Sequence, residues 1–374
     1  MTTSIVQPGN VERTAADEAL EAALVDWFRK RESVLIGFSG GVDSAYLACV
    51  AVEALPVDRV LAVIGRSASY PAEQWERARQ VAVRFGVPVL EIVTDELNDP
   101  RYAASPSNRC YFCKTELWDV LVPVARERGL NCVIDGTNAD DVTDHRPGAR
   151  AAAEHDVRSP LSELGFTKES IRRLSRARGI PTWSQPASPC LSSRIPYGTQ
   201  VTRERLALIE RAEAFLRQAG VTGDMRVRYH GDLARVELSA EMLDHWLGRT
   251  ARTEIARCVK SAGFDNVAVD ARGFRSGSLN VLGGVVAEPL VRARSATGGD
   301  AAGLSNALRQ IGVQGAVDAR DRLAVMRFHE EAQVDALRSA DTRSAIVERA
   351  RGHGFTHVAI DLDVGAGDAA VRRG

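Results

Sequence analysis

Residues 34–44 read Val34-Leu35-Ile36-Gly37-Phe38-Ser39-Gly40-Gly41-Val42-Asp43-Ser44. The apolar run Val34 to Phe38 has the length of a buried parallel strand, and two glycines close it in a tight turn. Beyond the turn, Ala45, Leu47, Ala48, Val50, Ala51, Val52, Ala54 and Leu55 predict a helix buried on most sides. Strand, glycine turn and helix together aim backbone N–H groups and the positive end of a helix dipole at one point, which makes an anion cradle. The glycines let the backbone approach an oxygen closely, the Ser39 and Ser44 hydroxyls donate, and Asp43 offers a carboxylate for a divalent cation held against a polyphosphate. The G-x-x-x-x-G-K-[ST] loop is excluded, because both its lysine and its spacing are missing.

Outward from this stretch, strands and helices alternate. Val60 to Ile64, Val89 to Val93 and Cys132 to Ile134 read as further strands. Helices are predicted over 71–85, 111–128, 167–178 and 202–219, the first with Pro71 near its start and Gly86 past its end. This alternation predicts an α/β fold with a doubly wound, mostly parallel sheet and ligands at the carboxyl ends of its strands. The last third holds an internal repeat. Leu216 to Gly223 recurs as Leu308 to Gly315, Gly263 to Asp270 recurs as Gly354 to Asp361, and Leu233-Ala234 matches Leu323-Ala324 after a two-residue slip. The spacing predicts small duplicated α+β units, each read as helix, strand, helix, strand. At the offset of the first block, Arg226 falls opposite Asp318, a charge unsuited to phosphate. The Gly/Ala/Ser-rich stretch 293–302 reads as the linker between the copies.

With 374 residues the chain exceeds a single core, and two or three domains are expected. No stretch reaches the ~20 apolar residues of a membrane span, and the start lacks a cationic segment followed by an apolar one. The formal net charge of −1 argues against a large nucleic-acid footprint. A cytoplasmic chain is expected, so its six cysteines are read as reduced thiols or metal ligands rather than disulfides.

Four further segments carry candidate chemistry. Asp135-Gly136-Thr137-Asn138-Ala139-Asp140-Asp141 follows the fourth strand, where short polar side chains suit ribose, phosphate or magnesium; an ordinary turn is the alternative. Cys190 sits in the proline-bounded loop Ser188 to Arg194, with Arg194 four residues on as a cation that favours a thiolate; a structural cysteine is the alternative. In Asn108-Arg109-Cys110-Tyr111-Phe112-Cys113-Lys114, both thiols face a positive helix end with basic neighbours, a pattern open to metal, redox or purely structural readings. With Cys190 as a third thiolate the set would suit an iron–sulfur cluster with one open iron. Arg226-Val227-Arg228 alternates on a strand, so both guanidiniums share one face and, with Arg194, are candidates to bind a phosphate.

Taken together, these segments resemble a known family. The loop Ser39 to Ser44 is similar to the pyrophosphate-binding loop of the PP-loop ATP pyrophosphatases, which have the adenine nucleotide alpha hydrolase-like fold and cut ATP between its alpha and beta phosphates. The full set, with Pro189 to Arg194 and Pro196-Tyr197-Gly198-Thr199, resembles the ATP-dependent pyridinium-3,5-biscarboxylate mononucleotide sulfurtransferases of nickel-pincer nucleotide synthesis. The resemblance spans about residues 19–283, and the second repeat copy lies beyond it. It implies ATP and Mg2+ bound by Ser39, Gly40, Gly41, Val42, Asp43, Ser44, Gly136, Thr137, Asn138 and Asp141, with Asp43 and Cys190 catalytic. It implies a mononucleotide substrate gripped by Ser193, Arg194, Arg226 and Arg228. It also implies adenylation with pyrophosphate release, thioester formation at Cys190, and either sacrifice of that cysteine's sulfur or delivery of sulfide from a 4Fe–4S cluster. That cluster would be held by Cys110, Cys113 and Cys190, and the presence of all three favours the cluster branch. A homo-oligomer, by resemblance a hexamer, is expected. The corresponding division is a flexible tail over 1–18, the ATP pyrophosphatase domain over 19–205, an α+β domain over 206–285, the linker and a degenerate second copy over 303–374. Two other readings stay open. One is another adenylating member of the superfamily, a tRNA thiolase or amidating synthetase; the other is a nonenzymatic nucleotide-binding protein.

Overall fold

In the computed structural model, residues 13–143, 147–186, 189–282 and 298–364 are described. The expected tail as far as residue 12, residues 293–297 of the expected linker and the stretch past residue 364 lie outside them. The chain forms two compact units, Met1–Cys190 and Leu191–Gly374. Among the described residues no helix is long and apolar enough to cross a membrane.

In the first unit, helix α1 (Ala15–Arg31) precedes strand β1 (Val34–Gly37), helix α2 (Val42–Ala54), strand β2 (Val60–Arg66), helix α3 (Ala72–Phe85) and strand β3 (Val89–Val93). The helix Arg109–Glu127 and strand β4 (Cys132–Ile134) follow. The four strands are all parallel, in the order β3-β2-β1-β4. Alternation along β1 shows why both faces are covered. Val34 and Ile36 pack into a core with Leu24, Phe28 and α2, whereas Leu35 points the other way, into a core with Trp118 and Leu121. This is the doubly wound α/β architecture that the alternating elements predict, and the strand bounds agree to within a residue or two.

The second unit contains both repeat copies, and they share one sheet. The first copy runs through the helix Arg203–Gln218, strands β5 (Met225–His230) and β6 (Leu233–Leu238), the helix Arg249–Ala262 and strand β7 (Asn266–Asp270). The second runs through Ala301–Arg309, β8 (Ala316–Arg320), β9 (Leu323–Arg327), Ala340–Gly352 and β10 (His357–Asp361). Each copy therefore carries a hairpin where one strand was expected. The turns are only two residues long, Gly231-Asp232 and Asp321-Arg322, and Gly231 and Asp321 take the positive φ (71° and 54°) such turns favour.

Strand order is β5-β6-β7-β10-β9-β8. The copies meet where β7 and β10 pair antiparallel, Val269 opposite Ile360, Ala268 opposite Asp361 and Asp270 opposite Ala359. Val269 and Ile360 are the same position of the repeat, so the junction has local pseudo-two-fold symmetry. A shared apolar cluster of Leu233, Ala268 and Leu279 with Leu323, Val325 and Ala359 spans it. The hairpin registers also correct the repeat alignment. Arg228 faces Arg235 and Asp318 faces Val325, so Asp318 is the counterpart of Arg228, and Ala316 that of Arg226. The two-residue slip falls just before β8, where the second copy's connection into the strand is shorter.

Candidate active site

The predicted phosphate cradle forms at the carboxyl end of β1. Gly40 adopts a left-handed φ of 65°, and a Cβ there would lie 2.5 Å from that of Ala78, so both backbone and space require glycine. Gly41 caps α2, and the Ser44 hydroxyl donates to the Gly41 carbonyl (3.3 Å) while accepting from the Ser39 amide (3.3 Å). Ser39 is held from the α3 side as well: Tyr70 Oη (2.9 Å) and Gln74 Nε2 (2.8 Å) both donate to its carbonyl. These hydrogen bonds hold the loop in place without help from a ligand.

The segment after β4 closes on it. A Cβ at Gly136 would sit 2.9 Å from the Ser44 nitrogen, so the two loops touch backbone to backbone only because residue 136 is glycine. Thr137 is pinned by its own N–H (3.0 Å) and hydroxyl (2.9 Å) donating to Asp135. The Asn138 amide donates to Asp141 (3.2 Å), and the Asp140 amide donates to Asn138 Oδ1 (3.0 Å).

Sequence reasoning missed one cation here. Thr167 caps the helix Lys168–Ala177, and the Asp140 carboxylate accepts from the Lys168 amide at 2.7 Å. From that first helical position the Lys168 ammonium pairs with Asp43 Oδ2. The only sequence signal is a threonine cap followed by lysine, 125 residues from the loop. Burial pushes the Asp43 carboxyl above its usual range, helped by Asp141, while Lys168 and Asn138 pull it down. Asp43 Oδ1 and Asn138 Nδ2 are both buried and neither makes a well-formed hydrogen bond, although the Asn138 amide lies near enough to act on the Asp43 carboxylate.

Cys110 and Cys113 are the second and fifth residues of the helix Arg109–Glu127. Cys110 is exposed, and Cys113 and Cys190 are half-buried. Burial raises the Cys113 thiol well above its ordinary value, with Glu96, Cys190 and Cys110 adding to the effect. The expectation that a helix end and basic neighbours favour thiolate therefore fails for Cys113: desolvation and a buried carboxylate outweigh Lys114. Arg109 is itself buried and donates to Ser105 Oγ at 2.7 Å. The three thiols are electrostatic neighbours, but among the described residues no group of three or more Cys, His, Asp or Glu side chains is placed to hold a metal ion.

In the second unit Ser193, Arg194, Arg226 and Arg228 do come together. Arg194 forms a two-pronged pair with Glu213 (2.9 and 3.1 Å) and donates to Ser193 Oγ (3.0 Å). Arg228 donates twice to Glu237 (2.9 and 2.7 Å) and once to the Ser193 carbonyl (2.9 Å). Burial would raise Glu213 and Glu237, but the arginines hold both below the usual carboxylate range. Arg226 donates to the Met225 carbonyl (2.7 Å) and stacks 4.9 Å over Phe274. Burial, with Arg194 and Arg228 as like-charged neighbours, brings its pKa down to about 10. Desolvated guanidiniums that destabilise one another in this way favour an incoming anion.

The NAD synthase family model matches residues 19–105, the span of the cradle and its flanking strands. An uncharacterised protein of Synechocystis sp. is 42% identical over 257 residues, 69% of this chain and 95% of its own. The pyridinium-3,5-bisthiocarboxylic acid mononucleotide synthase of Lactiplantibacillus plantarum is 34% identical over 260 residues, 70% of this chain and 93% of its own. An uncharacterised protein of Methanocaldococcus jannaschii is 27% identical over 247 residues, 66% of this chain and 92% of its own. By the identity and coverage of these matches, the chain belongs to the pyridinium-3,5-bisthiocarboxylic acid mononucleotide synthase family, within the PP-loop ATP pyrophosphatases.

Proposed function

We propose that the protein is an ATP-dependent sulfurtransferase that adenylates a carboxylate of pyridinium-3,5-biscarboxylate mononucleotide, releases pyrophosphate, and converts the carboxylate to a thiocarboxylate through Cys190. The observation that carries this reading is the preorganised cradle at Ser39–Ser44, with Asp43 and Lys168 opposed at its mouth, in a chain of this family. A carboxylate resists nucleophiles because its leaving group would be oxide. Attack of its oxygen on the alpha phosphorus of ATP breaks the alpha–beta bridge, and AMP then becomes the leaving group. The amides at the start of α2, the Ser39 and Ser44 hydroxyls and Lys168 stabilise the departing pyrophosphate. The family implies Mg2+; the buried Asp43 carboxylate, whose Oδ1 lacks a well-formed hydrogen bond, fits it, with Asp141 alongside, and the ion would neutralise charge on the leaving group. Gly136, Thr137, Asn138 and Asp141 complete the nucleotide site.

Cys190 Sγ then attacks the acyl carbon, AMP departs, and a thioester forms. In the sacrificial branch, loss of the Cα proton and cleavage of the Cβ–S bond leave thiocarboxylate on the substrate and dehydroalanine at 190. The presence of all three cysteines, Cys110, Cys113 and Cys190, favours the other branch, in which they would hold a 4Fe–4S cluster that would supply the sulfide. Arg194, Arg226 and Arg228, with Ser193, hold the substrate phosphate. Within this reading the ATP chemistry resides in residues 19–205 and the substrate arginines extend into 206–285. The enzyme is a cytoplasmic homo-oligomer, a hexamer by resemblance, and nucleic acid is not its substrate. In any such assembly the β7 edge is unavailable, since β10 already covers it.

The test is product analysis with the purified mononucleotide. AMP and pyrophosphate should form only when it is present, and Cys190→Ala should still adenylate but make no thiocarboxylate. Formation of ADP would refute the reading. Pyrophosphate release with a tRNA or an amide donor in place of the mononucleotide would point to the other adenylating enzymes.

A further inference from the structure

The second copy has lost both phosphate-binding positions, with Ala316 and Asp318 standing where Arg226 and Arg228 stand in the first. Its charges are rearranged too: Arg327, the counterpart of Glu237, pairs with Asp361 (3.1 Å) and Asp318 (3.3 Å). One residue of this copy nevertheless reaches the first copy's buried network. His357, at the start of β10, lies 2.9 Å from Ser278 Oγ, which lies 2.7 Å from Glu237 Oε1. Glu237 is the carboxylate that clamps Arg228.

The donors and acceptors along this chain can be assigned by count. Glu237 is surrounded by donors: Ser278 and Arg235 Nη1 (2.9 Å) on Oε1, and Arg228 Nε and Nη2 on Oε2. Ser278 therefore gives its single proton to Glu237 and must accept from His357. That fixes the neutral imidazole with its proton on Nε2, leaving Nδ1 to accept from Thr356 Oγ1 at 2.9 Å in preference to the longer 3.3 Å contact of that hydroxyl with the Arg322 carbonyl. Burial and the nearby Arg235 and Arg275 keep the ring uncharged. The first copy has Asn266 at this repeat position, where it bonds Asp232 instead, so the role belongs to the second copy alone.

We infer that the second copy is a positioning element of the substrate-phosphate site, acting through His357, Ser278 and Glu237 on Arg228. Every hydrogen bond in the relay points toward Glu237, so its carboxylate has one orientation, and so does the guanidinium it holds. This inference rests on the proposed role of Arg228.

The experiment measures affinities of the full chain for the pyridinium mononucleotide, for its riboside lacking phosphate, and for ATP. His357→Leu should weaken mononucleotide binding about threefold to tenfold, the worth of one buried neutral hydrogen bond, with riboside and ATP unchanged. His357→Gln, whose amide nitrogen donates from nearly the place of Nε2, should restore affinity to within about twofold. Wild-type affinity in His357→Leu, equal losses for mononucleotide and riboside, or failure of glutamine to rescue would each overturn the inference. If His357→Leu does not fold, Ser278→Ala carries the same test from within the first copy, and an unchanged mononucleotide-to-riboside ratio counts against the relay. Arg228→Ala separates the two levels. Should it leave that ratio unchanged, the phosphate reading itself fails, whereas an effect at Arg228 with none at His357 or Ser278 removes the relay alone.

Discussion

Lys168→Met keeps the side chain's length and removes its charge, which isolates what the ammonium does for Asp43. The side chains are 34% and 19% exposed, so solvent screens the pair in part. A hydrogen bond between charged groups is worth roughly 1.5–3 kcal/mol, and screening at the exposed end brings the expected loss of stability to about 1–2 kcal/mol. Asp43 already has its pKa raised by burial, and without Lys168 it should climb further. The loss should therefore be full at pH values where Asp43 is ionised and should fade as acid protonates it. Asp43→Asn in the same chain leaves neither charge buried, so the double variant should recover most of that stability. Catalysis should not follow. Pyrophosphate formation should fall about a hundredfold or more in either Lys168 variant, as for loss of one preorganised donor at a developing anion. Urea unfolding at neutral and acidic pH, with a pyrophosphate assay, reads both effects. If the two substitutions were additive in stability, or if Lys168→Met turned over at the wild-type rate, the lysine would be neither the partner of Asp43 nor a participant at the phosphates.

Three other outcomes follow from the same structure. Gly136→Ala should cost about 1–3 kcal/mol and weaken ATP binding, because its Cβ would press on the Ser44 backbone nitrogen at 2.9 Å; calorimetric titration with ATP checks it. Mass spectrometry after turnover should find the Cys190 peptide either intact or lighter by one hydrogen sulfide, and an intact peptide with brown anaerobic protein that Cys113→Ala bleaches would select the cluster branch. The Arg173 guanidinium holds the buried Asp17 carboxyl below its ordinary 3.8, so the pair stabilises fully above that pH and its contribution disappears as pH falls through the lower folded value. Asp17→Asn should thus cost about 1–3 kcal/mol at neutral pH, and its melting curve should converge on that of the wild type in acid.

The nucleotide loop was legible because everything that builds it is contiguous: an apolar strand, two glycines and a buried helix within about twenty residues. Arg226 and Arg228 were legible through period-two alternation, which needs no knowledge of the partner strand. Strand β6 was not read as a strand, although all six of its residues are buried. Arg235 and Glu237 interrupt its apolar pattern, and only the tertiary network with Arg228, Ser278 and Asp270 makes burying them tolerable. Lys168 escaped for a related reason, since an ion pair across 125 residues leaves no local periodicity. At Cys113 the local rule pointed the wrong way, because sequence reveals a helix start but not the depth at which it is buried.

The antiparallel meeting of β7 and β10 has a consequence for how the two copies can change. Two identical chains joined along a true two-fold axis must present the same residue on both sides, so any specialised contact appears twice or not at all. Here both halves lie on one chain, and their effective concentration is set by the connecting peptide rather than by the amount of protein. The pairing therefore survives dilution that would dissociate a homodimer, and each half is released from self-complementarity. One half has kept the guanidiniums, while the other holds Ala316, Asp318 and His357 in a sheet that remains continuous. Covalent linkage has made an asymmetric pair out of a symmetric junction.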